Sequence, residues 1–147
     1  MNIKTKVAFC CYLITIILSS IFALIYLFRP EFMPYHATAI SMKWSDLNSN
    51  LQALILALLR VSGGGMLATS LSISILLFIP FRKGELWAIW AIPIIGLGGA
   101  IPTLYATLLV KFNTPASPPW FAATTIIILF LIGFIFSLVS RKMSTNK

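Results

Sequence analysis

Four long apolar runs, separated by short polar segments, dominate the chain. No Asp, Glu, Lys, Arg or His occurs in residues 7–28, 61–81, 86–110 and 119–140. Each run has about 21 to 25 residues. At a rise of about 1.5 Å per residue, a helix of that length crosses the hydrocarbon core of a bilayer, which is roughly 30 Å thick. The pattern therefore predicts an all-α integral membrane protein, a bundle of four transmembrane helices.

The second helix is expected to begin before its apolar run. Leucine and isoleucine recur at helical spacing over residues 51–59, and Asn48 or Asp46 can cap the helix. A helix from about residue 47 to 81 would be about 50 Å long, so it either projects from the bilayer or kinks, with Gly63-Gly64-Gly65 as the place for bending or a close helix crossing. The chain is thus one domain, residues 1–147, with spans at about 7–28, 52–81, 86–110 and 119–140 and an outer loop at 29–51.

Composition and charge agree with a membrane protein. Hydrophobic residues make up 59% of the chain and charged residues 10%, whereas a soluble domain has about 25% charged residues. A net charge of +8 could suggest nucleic acid binding. The cations lie at the ends of the apolar spans, however, where they contact lipid headgroups. We therefore expect membrane lipids as partners and no nucleic acid, and leave a homo-oligomer or another membrane partner open.

The distribution of Lys and Arg predicts the orientation. Seven of the 11 cations fall in the amino end, the link between spans two and three, and the carboxyl tail, and four fall in the segments on the other side. The positive-inside rule then places both termini in the cytoplasm. In the link Phe81-Arg82-Lys83-Gly84-Glu85, Gly84 suits the left-handed geometry that follows a helix end.

Small residues recur four positions apart in the two middle spans. In span two Gly64 and Gly65 each precede a small residue by four positions, and in span three Gly96 and Gly99 do the same. Lipid provides no hydrophobic drive for helix association, so close backbone approach matters more. The stripes predict that spans two and three pack closely.

Polar residues with potential chemistry are few and lie outside the spans. The only histidine is His36, with Glu31 and Asp46 in the same loop and Arg60 at the outer edge of span two. One interpretation is a polar lid over the bundle, in which Arg60 pairs with a carboxylate or binds an anionic ligand. The simpler interpretation is a solvated loop histidine and an arginine that anchors the interface.

The sequence offers no recognisable catalytic or metal site and predicts no cofactor. No carboxylate lies within a span, which argues against a proton-coupled pump. Cys10 and Cys11 are adjacent and point about 100° apart on a helix, so they are badly placed to pair. Tyr105 in span three is interpreted as a buried packing or hydrogen-bonding group and is also a candidate ligand-binding residue.

Several segments together resemble a group of uncharacterised bacterial four-span membrane proteins, which are distantly similar in plan to the DoxX-like proteins. The segments are RPEFMPYHATAISMKWSDL, LLRVSGGG, IPFRKGE and PTLYATLLVKFNTPASPPW, and they cover most of residues 29–120. The resemblance implies a multi-pass protein of the bacterial inner membrane. It brings no reaction and no site residues.

Three functions are consistent with these features, and the sequence does not decide whether the protein is an enzyme. The favoured hypothesis is a non-enzymatic membrane protein that binds a lipid, a quinone or a partner helix in its bundle. The alternative is a small-solute transporter or facilitator, with Pro93, Pro102 and Arg60 near the path, because broken helices line cavities in transporters. The third is a membrane enzyme that uses His36 and an outer carboxylate.

Overall fold

The computed structural model describes the backbone of residues 2–145 and the side chains of residues 2–141. This part of the chain contains helices and no strands. Four of the helices are long and apolar enough to cross a membrane. The predicted all-α, four-helix architecture is confirmed, and the protein is a multi-pass integral membrane protein. The helices are α1 (Ile3–Phe28), α2 (Pro34–Ile40), α3 (Ser49–Leu76), α4 (Leu86–Asn113) and α5 (Trp120–Thr145), with a 3₁₀ turn at Trp44–Asp46 and a π-helical turn at Leu77–Phe81.

The four long helices form a ring. α1 packs between α3 and α5, and α4 packs against α5. The remaining neighbours, α3 and α4, share much less contact, although a tight turn joins them directly. The ring is therefore closed on three sides and loose between α3 and α4.

Hydrogen bonds bring the two ends of the chain to one end of the bundle. Asn2 caps α1 by accepting a hydrogen bond from the Thr5 backbone N–H at 2.9 Å. The Asn2 side-chain amide also donates to Ser140 Oγ of α5 at 2.8 Å, and the Thr5 and Ser140 hydroxyls are 2.6 Å apart. We call this the terminal end, and the opposite end, formed by residues 29–48 and 114–119, the loop end.

The helix that carries the second span begins well outside its apolar run. The Asn48 side chain accepts a hydrogen bond from the Leu51 N–H at 2.9 Å, so Asn48 is the cap. Asp46 instead accepts from the Lys43 N–H at 3.3 Å within the 3₁₀ turn. The helix continues without a break through Gly63-Gly64-Gly65, and with its π-helical turn it has 33 residues against 28 in α4. It therefore projects at the loop end.

Proline and glycine shape the turn at the terminal end. The π-helical turn contains Pro80, which has no N–H to continue the α-helical pattern. Gly84 has φ 81°, which confirms the left-handed geometry predicted for it. The Glu85 N–H donates to the Pro80 carbonyl at 3.0 Å and closes the turn.

The packed core lies in the terminal half of the bundle. Tyr12, Leu77 and Ile92 are fully buried there, and Phe130 is 2% exposed. The Tyr12 and Phe81 rings meet edge to face, with centroids 5.7 Å apart. A smaller cluster at the loop end is built on buried Phe32, Leu47 and Leu59. The space between the two clusters is not filled by side chains.

Close approach to a neighbouring helix occurs at Gly63, which lies outside the predicted stripes, and at Gly96, which lies in one of them but contacts α5 instead of α3. A Cβ on Gly63 would lie 2.9 Å from the Ala23 carbonyl oxygen of α1, and a Cβ on Gly96 would overlap the Phe130 ring of α5. A Cβ on Gly64 or Gly65 would meet nothing within 4 Å. The predicted close contact of spans two and three is therefore not made at these two residues. On α4, Gly99 comes within 3.7 Å of Thr69, an ordinary van der Waals contact.

Candidate functional site

An interior cavity of about 380 Å³ lies between the two clusters, and all four long helices line it. Thr15, Ser70, Gly96 and Phe130, one from each helix, belong to its wall. On the side between α3 and α4, the lining residue Gly65 is exposed at the protein surface. The cavity therefore opens sideways, within the part of the bundle that the apolar spans form.

The cavity wall is mostly apolar and carries a few hydroxyl groups. Thr15, Thr69 and Thr103 each donate to a carbonyl of their own helix three or four residues earlier, at 2.7 to 2.9 Å. Such bonds satisfy a hydroxyl inside a membrane helix. Ser70 differs, because it is 2% exposed and its Oγ has no hydrogen-bond partner among the described residues. The Ser70 hydroxyl is thus the buried polar group of this wall that lacks a protein partner.

A cleft of about 490 Å³ continues the interior cavity toward the loop end. The two spaces share Ser62, Met66 and Thr103, so they form one passage between α3 and α4. The short helix α2 borders the outer part of the cleft with Tyr35 and His36. None of the described residues that line the passage is Asp, Glu, Lys or Arg.

Aromatic side chains cluster where α2 meets the bundle. Pro34 occupies the first turn of α2, where its fixed φ favours helix initiation and its missing N–H is not needed. Tyr35, the next residue, then contacts the last turn of α1. The hydroxyls of Tyr26 and Tyr35 are 2.7 Å apart, and the ring centroids of Tyr35 and His36 are 4.2 Å apart. Phe32 packs edge to face against Trp44 at 5.1 Å and holds the cluster against the 3₁₀ turn.

The surroundings of His36 favour its neutral form. The Met33 N–H donates to Nδ1 at 3.3 Å, so the ring proton resides on Nε2. Burial and, to a lesser extent, the nearby charge of Arg29 lower the pKa of His36. Burial and the hydrogen bond with Tyr26 raise the pKa of Tyr35, so its phenol stays protonated. The cluster therefore consists of neutral hydrogen-bonding groups.

The structure does not bring the residues of the predicted polar lid together. Glu31 pairs with Arg29 at 3.8 Å, and Asp46 bonds within its own turn. Arg60 is exposed, forms no hydrogen bond or ion pair with any side chain that the structure describes, and lines neither the cavity nor the cleft. Of the four, only His36 belongs to the passage. The helical phase explains this, because Arg60 lies on the face of α3 opposite Ser62 and Gly65.

The other residues singled out from sequence fall into two groups. Tyr105 is 68% exposed on the outer surface of α4 and lines neither space. Gly65, Gly96 and Gly99 line the interior cavity, whereas Gly64 does not. The missing side chain at Gly65 leaves space inside the bundle, whereas the Phe130 ring fills the gap at Gly96 and Gly99 contacts Thr69 of α3.

Sequence reasoning missed Tyr35 and Met66 and gave Tyr26 no site role. For Ser70 it favoured a hydroxyl that bonds to a carbonyl of its own helix, with a polar stripe facing a pathway as the alternative. Tyr26 ends an apolar span, where an aromatic residue at the interface is the ordinary expectation. Ser70 is one of several span-two serines, and periodicity does not reveal which of them faces the interior. Only Tyr35 had a usable signal, because it adjoins the sole histidine and follows a proline that can start a helix.

The described residues contain no group of three or more His, Cys, Asp or Glu side chains placed to hold a metal ion. Comparison with protein-family models, curated proteins and solved structures finds no match to the chain. The fold and the site define a four-span membrane bundle with a neutral passage open between two of its helices. The resemblance to DoxX-like proteins stays a prediction.

Proposed function

We propose that this protein is non-enzymatic and binds a lipid-soluble molecule with an alkyl or isoprenoid chain, which enters the interior cavity from the membrane between α3 and α4. The observation that carries the proposal is the sideways opening of the cavity at exposed Gly65. A space that opens toward lipid tails is filled by molecules that dissolve among them. Its wall is mostly apolar, as in most small-molecule binding sites, and therefore suits a hydrocarbon chain.

The size of the cavity favours a chain over a partner helix. An α-helix with its side chains is about 10–12 Å across, which a space of about 380 Å³ between four helices does not accommodate. A membrane partner or a second copy could contact only the rim of the opening. Co-purification of a stoichiometric protein partner in place of a lipid would contradict the proposal.

Solute transport is the alternative function, and the packing at the terminal end bears on it. The passage ends at Ile73 and Phe130, which line the cavity and belong to the packed core that also contains the fully buried Tyr12, Leu77 and Ile92. A facilitator would need these side chains to separate. Glycerol flux into proteoliposomes that exceeds the flux into empty liposomes would support transport and contradict a binding role alone.

Two neighbouring glycines provide a matched test of the binding site. Gly65→Leu places an isobutyl side chain in the cavity, and Gly64→Leu makes the same change one residue away, outside the cavity. Neither Cβ would meet a heavy atom within 4 Å, so neither change introduces a clash at the backbone. Binding of palmitoyl-oleoyl phosphatidylglycerol and of decylubiquinone would be measured by native mass spectrometry. We expect Gly65→Leu to weaken at least one of them by about fivefold or more relative to Gly64→Leu; equal binding to the two variants would refute the proposal.

The cellular location and orientation are part of the same proposal. The cation distribution and the common position of both termini support a bacterial inner-membrane protein with its terminal end in the cytoplasm. Protease added to intact spheroplasts should then leave tags at both termini uncut while cutting the loop end. Cleavage of either terminal tag under these conditions would contradict the proposed orientation.

A further inference from the structure

We infer that the bound molecule is a lipid quinone, whose ring lies in the outer cleft beneath α2 and whose carbonyl oxygen accepts hydrogen bonds from His36 Nε2 and from the Tyr26–Tyr35 hydroxyl pair. This inference rests on the proposed function, because the tail of the quinone would occupy the interior cavity. It adds the chemistry of the headgroup, which the cavity alone does not specify.

The first support is the presence of unused hydrogen-bond donors. His36 accepts through Nδ1 and lines the cleft, and its Nε2–H has no partner among the described residues. The Tyr26 and Tyr35 hydroxyls share one hydrogen bond, which uses one of their two protons and leaves the other. The cleft thus presents two neutral donors, and a ligand that satisfies them supplies acceptors. The carbonyl oxygens of a quinone are such acceptors.

The second support is the absence of net charge at the cleft. No Asp, Glu, Lys or Arg is among the described residues that line it. Arg29, the cation whose charge acts on His36, pairs with Glu31 at 3.8 Å. A phosphate headgroup is bound by Arg or Lys side chains in most sites, so the cleft suits a neutral headgroup better than an anionic one.

The third support is the aromatic character of the outer cleft. Tyr26, Phe32, Tyr35 and His36 all line it, and the His36 ring contacts the Phe32 and Tyr35 rings edge to face. Aromatic surfaces of this kind pack well against a planar ring. A saturated acyl chain would gain nothing from the ring geometry or from the two donors.

The test compares two probes that differ in the carbonyl oxygens and ring substituents. Decylubiquinone carries a quinone ring on a ten-carbon chain, and decylbenzene carries a plain ring on the same chain. Affinities would be measured by native mass spectrometry for the wild type and for the double variant Tyr26→Phe/Tyr35→Phe. Tyr105→Phe is the matched control, because Tyr105 is exposed outside the cleft. His36→Phe removes the ring donor, and His36→Gln restores a donor and an acceptor.

We expect the wild type to bind decylubiquinone about tenfold more tightly than decylbenzene. The double tyrosine variant and His36→Phe should each reduce that ratio about fivefold, the change that loss of one neutral hydrogen bond produces. His36→Gln should recover part of it, and Tyr105→Phe should leave it unchanged. Loss of both tyrosine hydroxyls removes a hydrogen-bonded pair together, so the double variant should still fold.

Two other results would overturn the quinone inference while leaving the proposed function intact. Equal affinity for the two probes, with Gly65→Leu still weakening both, would reject the quinone and keep the chain-binding cavity. Tighter binding of palmitoyl-oleoyl phosphatidylglycerol than of decylubiquinone, reduced by the tyrosine and histidine variants, would assign the donors to an ester lipid instead. If Gly65→Leu weakens the binding of neither probe and not that of palmitoyl-oleoyl phosphatidylglycerol, the cavity itself is not the binding site and both proposals fail.

Discussion

The Phe130 ring of α5 lies against the Cα of Gly96 on α4, in the position that a side chain at residue 96 would occupy. Both residues line the interior cavity, and Phe130 also belongs to the packed core of the terminal half. The pair therefore marks the floor of the passage. Above it the helices separate, and below it they are tightly packed.

Gly96→Ala should destabilise the protein. Its methyl group would overlap the Phe130 ring, and forcing extra volume into a packed site costs about 1–3 kcal/mol. Gly98→Ala is the control, because a Cβ there meets nothing within 4 Å. Thermal unfolding in detergent should show a lower midpoint for Gly96→Ala and an unchanged or higher one for Gly98→Ala. A Gly96→Ala variant as stable as the wild type would mean that the ring moves aside freely.

Two buried serines should respond to alanine in opposite directions. Ser70 is 2% exposed with an unpartnered Oγ, whereas Ser137 is 3% exposed and donates to the Gly133 carbonyl at 2.7 Å. An unsatisfied buried hydroxyl costs about 1–3 kcal/mol. In ligand-free protein, Ser70→Ala should therefore raise the free energy of unfolding and Ser137→Ala should lower it. Urea or sodium dodecyl sulfate titrations would measure both, and destabilisation by Ser70→Ala would show that its hydroxyl has a partner such as water.

Ser140→Ala should loosen the terminal end. The Ser140 hydroxyl bonds to both Asn2 and Thr5, which connects the first turn of α1 to α5. We expect a loss of about 1 kcal/mol, with faster hydrogen exchange in the first turn of α1. Ser72→Ala serves as the control, since the exposed Ser72 hydroxyl bonds only to the Ala68 carbonyl of its own helix. Equal exchange in the two variants would contradict a structural role for this contact.

Acid should weaken the attachment of α2. The unfolded histidine titrates near pH 6.5 and the folded His36 lower, because of burial and Arg29. Between those two values the unfolded form binds more protons, so the stability of this segment is complete above about pH 6.5 and falls as the pH drops through the lower folded pKa. Protonation also places a proton on Nδ1 and breaks its hydrogen bond from the Met33 N–H.

Trypsin cleavage after Lys43, just beyond α2, would measure this effect. Arg29, paired with Glu31, and the phenols of Tyr26 and Tyr35 are the other ionisable groups around the histidine. His36→Gln removes the titrating group, so the wild-type rate divided by the variant rate should rise from pH 7.5 to pH 5.5. A ratio that does not change with pH would exclude His36 as the titrating group.

Much of the fold was predictable from local pattern. The apolar runs predicted the four long helices, because a chain in lipid satisfies its backbone hydrogen bonds within each segment. Asn48 caps α3 through its side chain, and Gly84 adopts the left-handed geometry of a turn, as their residue types predict. The helix α2 was not anticipated, because its seven residues are too few to show a period.

The site was much less predictable. Arg60 and Tyr105 stood out in the sequence, yet both face away from the passage, while Tyr35 and Ser70 form part of its wall. Small-residue stripes predicted close contact between α3 and α4, and the structure has such a contact at Gly99 and Thr69 but an opening beside Gly65. A stripe of small residues shows that one face of a helix carries little side-chain volume. It does not show whether a neighbouring helix packs against that face or leaves a space beside it.

The sequence by itself determined that four helices cross a membrane, since length and hydropathy are properties of each segment alone. Only the tertiary structure decided that the bundle is closed on three sides and open on the fourth. That outcome depends on how side chains from different helices compete for the same space. Phe130 fills the gap at Gly96 from α5, and no side chain from α1 or α5 fills the space beside Gly65. Which gap is filled is a property of the assembled ring and of no single helix.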